Sequence, residues 1–393
     1  MHNGGTNPHG TRASYLRPGF VLALSVRLLT SSLAILIPLF AVDVLGATAS
    51  QAGFFVLLLW IGNAAGVAAA VLVVRNQSYA SVLGFCFVAV SLGGLSLGGA
   101  HTAPLFMLLS GLGVGLPQPF LSAFMHADSM PGAPFSGLGL YSTALGLGLV
   151  IGPLVAYGVF PFSGFPGAFL ALASFCLLGV AGAAAGRGSA RGRPAPPMPR
   201  MSSWVAALRR GAFRRAVLVN FLYSLLLPVF LSYGAIYAEG RFGFTPEQAL
   251  LLYTSVFALS VGMRVVAVKF EAGLGKLLLI SSVTLLLSML AVAAAPYWQL
   301  FVVGMILFSV PHAYVFPVAN YYALTSAGED VMNGSYAFQA SSAAAEFLTP
   351  LAAVLLIPLA GVQGVFLVGV FLAAGAVGAS LAYWGGATAS GKD

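Results

Sequence analysis

The chain has 393 residues, of which 59% are hydrophobic and only 7% charged, with a net charge of +8 and a mean hydropathy of +0.97. A soluble protein carries roughly a quarter charged residues, so this composition excludes an aqueous fold and places the chain in a bilayer. The positive balance asks for no nucleic-acid partner, because membrane insertion and an anionic inner leaflet account for basic loops.

Apolar runs of about 20 residues, each long enough to cross hydrocarbon, alternate with polar, Gly- and Pro-marked breaks. Twelve spans are expected near 19–42, 50–74, 79–100, 103–126, 137–160, 167–186, 216–238, 246–268, 275–295, 299–322, 333–358 and 361–385. The first run exceeds a signal-peptide core and is expected to stay as an anchor. The longest polar stretch, 187–215, holds eight arginines and divides the chain. The expected organisation is an N-terminal tail (1–18), a six-helix bundle (19–186), a basic linker (187–215), a second six-helix bundle (216–386) and a tail (387–393).

Loop charges orient these spans. With the N-terminus inside, fourteen of the loop Arg and Lys residues fall on the cytoplasmic side and only Arg241 outside, as the positive-inside rule requires. Both termini and the linker are therefore expected in the cytoplasm of a cell-membrane protein. An internal repeat supports two halves. A shift of 197 positions lays Gly46, Thr48, Gln51 and Ala52 on Gly243, Thr245, Gln248 and Ala249, and Gly137 and Pro153 on Gly334 and Pro350.

The fifth span carries Gly139, Gly148, Gly152 and Pro153. Glycines so spaced clear one stripe of the helix for close backbone packing, and the proline removes a donor and favours a bend. This pattern resembles the antiporter motif of the major facilitator superfamily, the drug/proton antiporter-like branch, with Ala156 and Tyr157 standing where that motif often ends in two glycines. The resemblance implies an all-α fold of twelve transmembrane helices in two pseudo-symmetric halves, with solute bound between them near the midplane. The family's loop signature after the second helix is degraded around Arg75. Its counterpart in the second half keeps Glu271, with Arg264 on the preceding helix, and the resemblance implies a cytoplasmic latch of Arg75, Arg264 and Glu271 resting mainly on Glu271, the alternative being a solvated loop.

Proline-containing stretches at 111–120 and 308–322 resemble the family's fourth and tenth helices, and broken helices in both halves point to a binding site. The resemblance implies that helices one, four, seven and ten line the cavity. Candidate residues there are Arg27, Gln118, Asn220, Tyr223, His312, Tyr314 and Asn320. Taken singly, a Tyr or Asn in a helix is more often a packing or interhelical hydrogen-bonding residue; taken together they point to a site. Intramembrane ionisable groups are functional candidates because a bare charge there is costly. Arg27 would bind an anionic group or pair with an acid, or else snorkel towards the cytoplasm. His312 would shuttle protons or sit as a neutral hydrogen-bonded ring. Glu346, alone in an apolar stretch of the eleventh span, would carry a coupling proton or be a structural acid bonded to a neighbour such as Ser342.

Nothing in the chain resembles a nucleotide loop, a catalytic triad or a metal-ligand cluster, so no enzyme activity, cofactor or metal is expected. Cys86 and Cys176 are expected as small packing residues. The expected function is secondary active transport of a small organic solute by alternating access, coupled to protons or another ion and directed as efflux. The alternatives are uptake of an organic anion held by Arg27, and a non-transporting sensor that keeps the fold. The expected partners are membrane lipid, the solute and the coupling ion, and a monomer is expected.

Overall fold

A computed structural model describes residues 18–74, 76–99, 101–121, 134–190, 201–269, 274–326 and 331–388, and among these residues the regular elements are all helical. The first group is α1 (Pro18–Asp43), α2 (Ala49–Ala69, continuing as a π turn over Ala70–Val74), α3 (Gln77–Ser96), α4 (Ala103–Gly115) and α5 (Pro134–Ala190). A short helix α6 (Met201–Arg209) precedes α7 (Gly211–Pro228), a π turn (Val229–Tyr233), α8 (Gly234–Phe242), α9 (Pro246–Lys269), α10 (Leu274–Ala293), α11 (Trp298–Leu307), α12 (Ser309–Ser326) and α13 (Val331–Thr388).

Two of these helices are too long to be single spans. The apolar stretches Tyr141–Gly186 and Gly334–Ala382 hold 46 and 49 residues, about 70 Å each at about 1.5 Å per residue and twice the hydrocarbon thickness. Each is broken at a glycine: Gly164 (φ 56°, ψ −152°) in α5 and Gly361 (φ 64°, ψ −178°) in α13. A residue with a Cβ rarely adopts such angles. The two breakers are related by the same 197-position shift as the sequence repeat. So are Gly46 and Gly243, both with positive φ, and two capping boxes in which Thr48 pairs with Gln51 and Thr245 with Gln248. The repeat is therefore built into the turns as well as the sequence, and the helices follow the twelve expected spans.

One continuous core runs through the bundle, from Phe20 and Leu36 through Phe169 to Phe230, Tyr253 and Phe366. Glycine sets its closest contacts. Gly62 and Gly66 of span two face Gly111 and Gly115 of span four so tightly that a Cβ on any of them would collide with the opposite backbone. On span five, a Cβ on Gly148 would lie 2.6 Å from Leu24 O and 2.9 Å from Leu28 N of span one. Gly152 faces Leu28 in the same way. Pro153 is buried beside it, while Gly139 is helical with surroundings outside the described residues.

The first and last six spans touch at the end of the bundle where α1 finishes. Ser232 Oγ donates to Ala34 O at 2.7 Å part-way along α1, and Asp43, its last residue, lies beside Glu239. At the opposite end, α6 packs Trp204 against a cluster that includes Phe213 and Phe338, and Arg210 Nη1 donates to Ser326 O at 3.0 Å. Two expectations change here. The stretch 187–215 is partly helical, since α6 lies within it and the seventh span starts at Gly211. Cys176 is buried as expected, but Cys86 is exposed, because its face of α3 points out of the bundle, where an apolar thiol is as acceptable to lipid as a core is to it.

Candidate functional site

Spans from both groups enclose a cavity of about 70 Å³, enough for several waters or a small polar group. Five of the eight residues expected at a solute site line it: Arg27, Gln118, Tyr223, His312 and Glu346. The other three do not. Asn220 is fully buried and its Nδ2 donates to Ser342 Oγ at 2.6 Å. Tyr314 donates to Met263 O at 2.7 Å, tying span ten to span eight. Asn320 is buried outside the cavity wall. These are interhelical polar contacts of the ordinary kind.

Arg27 reaches the cavity because of the glycine stripe. A Cβ on Gly148 would stand 3.1 Å from Arg27 Cβ, so the bare backbone of span five lets span one approach at this turn. The Arg27 Nε is buried without a partner, and among the described residues no hydrogen bond or ion pair engages its guanidinium. Snorkelling to an aqueous loop is not what the side chain does; it lines the cavity.

Arg264 departs most from expectation. It does not reach the loop after span eight, where its partner Glu271, like Arg75, lies outside the described residues. Its Nη1 donates to Ser142 O at 2.7 Å and to Ser142 Oγ at 3.2 Å, and its Nη2 donates to His312 O at 2.9 Å. It is drawn inward because Gly146 leaves a space beside span eight: a Cβ there would lie 3.1 Å from Arg264 Nη1 and 2.9 Å from Val261 Cγ2. Arg264 thus bridges the two groups of spans through backbone carbonyls, at the cavity wall. Its Nε is buried and unpartnered.

Behind Tyr223 and His312 on the cavity wall lies an aromatic cluster. The Tyr223 hydroxyl hydrogen-bonds His312 Nδ1, leaving His312 Nε2 buried without a partner. Phe308 stacks on Phe230 with centroids 3.8 Å apart and planes 9° from parallel, and it holds His312 from one side while Phe257 lies 5.2 Å away on another. Both spans that carry this cluster are irregular: span ten is interrupted at Phe308 and span seven passes through the π turn after Pro228.

Glu346 has no hydrogen-bond partner among the described residues. The neighbour expected to hold it, Ser342, is instead occupied by Asn220 and by Phe338 O. Arg27 is the cation whose field reaches it. Sequence reasoning missed Tyr141 and Gln339, which also line the cavity. Gln339 was legible, since Gln339, Ser342 and Glu346 follow an i, i+3, i+7 pattern that defines one helix face.

No protein-family model matches the chain, and no curated protein matches it. Solved structures do match its fold. A POT family transporter crystallised with a thioalcohol-conjugated peptide superposes with a TM-score of 0.72 at 14% identity, covering 93% of this chain and 94% of that one. The human organic anion transporter MFSD10 (TETRAN) gives 0.63 at 18% identity, with 92% and 98% covered. The xylose transporter XylE from E. coli, partially occluded and inward-open, gives 0.67 at 16% identity, with 93% and 94% covered. The chain has the major facilitator fold. It is a multi-pass membrane protein of twelve helices in two six-helix halves.

Proposed function

We propose that this protein is a secondary active transporter that moves a small organic solute by alternating access, with a proton carried on Glu346. The observation that carries the reading is that Arg27, whose Nε is buried without a partner, and Glu346, which makes no hydrogen bond among the described residues, line one cavity from opposite halves. An isolated charge in a membrane interior is expensive and is kept where it has work to do. Solved structures of the same fold are described as peptide, organic anion and xylose transporters, which supports transport as the use of this cavity. The proposed halves are residues 19–186 and 216–386, joined by a cytoplasmic linker, with both termini cytoplasmic in the cell membrane and the protein acting as a monomer.

The glycine stripe of span five, through its resemblance to an antiporter motif, supports efflux as the direction. A second reading, uptake of an anion, is favoured by a specific observation: a second arginine, Arg264, joins Arg27 at the cavity wall. The deciding experiment is flux into proteoliposomes. Wild-type protein should accumulate or expel solute when only a pH difference is imposed. Glu346→Gln should exchange solute down its own gradient while losing the response to pH. Retention of pH-driven accumulation in that variant would remove Glu346 from the coupling role and leave His312 as the next candidate.

A further inference from the structure

We infer that the solute is a small organic anion, bound between Arg27 of the first half and Arg264 of the second; this inference rests on the transport reading above. The chemistry of the unpartnered atoms carries it. Arg27 Nε, Arg264 Nε, His312 Nε2 and Gln339 Nε2 are all buried without hydrogen-bond partners, and all four belong to residues that line the cavity. His312 is 3% exposed. Where the Tyr223 hydroxyl donates to Nδ1, the neutral ring carries its hydrogen on Nε2 and that atom donates, whereas in the other tautomer it accepts. Guanidinium and amide nitrogens are donors. The buried unpartnered nitrogens of Arg27, Arg264 and Gln339 thus outnumber the one unpartnered carboxylate, Glu346, on the same wall, so the site is short of acceptors.

Charge narrows the class further. Two arginines face one carboxylate, Glu346, among the residues lining the cavity, so the wall favours a negative ligand and disfavours a cationic one. A carboxylate or phosphonate matches the planar fork of a guanidinium with two parallel hydrogen bonds. Arg27 has that fork free, and Arg264 has its terminal nitrogens fixed by Ser142 and His312. A ligand between them would touch both halves at once, as solute binding in alternating access requires. The cavity volume of about 70 Å³ restricts the enclosed part of the ligand to a few heavy atoms beyond the acid group.

The test is thermal denaturation of the purified full chain in detergent with acetate, lactate, benzoate and methylphosphonate, each paired with a neutral amide or ester analogue and with an amine, at matched ionic strength. At least one acid should raise the Tm by about 2–5 °C where its neutral and cationic counterparts do not. Arg27→Gln should abolish that rise, and Arg27→Lys, which keeps the charge and loses the fork, should reduce it. Gln339→Glu, which leaves both arginines and nearly the same shape, should abolish it as well. The ligand-free Tm of each variant shows that it is folded. The inference is overturned if no acid stabilises the wild type beyond its neutral analogue, or if Arg27→Gln and Gln339→Glu both keep the full rise. Acid binding without any flux in proteoliposomes would strike the transport reading and leave the anion site standing. Flux of a neutral or cationic solute without acid binding would do the reverse.

Discussion

The substitution Gly148→Ala tests whether the glycine stripe exists to place Arg27. The added Cβ would lie 2.6 Å from Leu24 O, 2.9 Å from Leu28 N and 3.1 Å from Arg27 Cβ, where ordinary contact begins at 3.4 Å. The first of these is short by 3.4 − 2.6, or about 0.8 Å, and the atoms in the way are backbone, so span one must retreat as a unit. Overpacking of this kind costs about 1–3 kcal/mol, offset in part by the roughly 1 kcal/mol that alanine gains over glycine in a helix. A net loss of up to about 2 kcal/mol should lower the Tm by a few degrees. Gly158 lies on the same span with nothing within 4 Å of its built Cβ, so Gly158→Ala should be neutral or stabilising. Both variants would be compared by thermal denaturation and by initial flux in proteoliposomes. Gly148→Ala should lose stability and slow flux, because Arg27 moves with its helix, while Gly158→Ala should keep both. Equal Tm and equal flux in the two variants would refute the claim that this stripe seats span one.

Other outcomes follow from the same geometry. Arg264→Gln removes the hydrogen bonds from Nη1 and Nη2 to Ser142 O and His312 O, each worth about 1.5–3 kcal/mol when the donor is charged, and should both destabilise the protein and weaken the contact between spans five and eight, read as slower cross-linking of cysteines placed there; an unchanged Tm would show that these bonds carry nothing. In a background lacking Cys86 and Cys176, single cysteines at the exposed positions Ser202 and Gln299 should react with an impermeant reagent from opposite sides of the membrane, and labelling of both from one side would overturn the topology.

The fold was legible because it is written in quantities that survive without coordinates. Span length is set by hydrocarbon thickness, and the helix boundaries fell within a few residues of the apolar runs. The 197-position repeat reached further than the sequence matches suggested, since it also relates the two positive-φ breakers Gly164 and Gly361. What could not be read was where bare backbone meets bare backbone. Gly62, Gly66, Gly111 and Gly115 have the small-xxx-small spacing, yet with 48 glycines in the chain spacing alone does not say which pairs face each other.

The site was half legible for a related reason. Residue type identified Arg27, His312 and Glu346, because ionisable groups in a span have few structural uses. Rotation of each helix about its axis decides which polar residues share a cavity, and sequence leaves that angle free. Tyr314 lies on the expected helix but on another face of it, and Asn320 shares the face of His312 and Phe316 one turn further along, whereas Gln339 lies on the right face of a helix outside the expected four. Arg264 shows the limit most clearly. The loop signature drew it outward to a latch, while Gly146, a residue with no side chain to notice, opens the space that draws it inward to Ser142 and His312. A glycine's influence is on what its neighbours are able to do, so the position of a cavity-lining arginine was encoded on the opposite helix, 118 positions away from it.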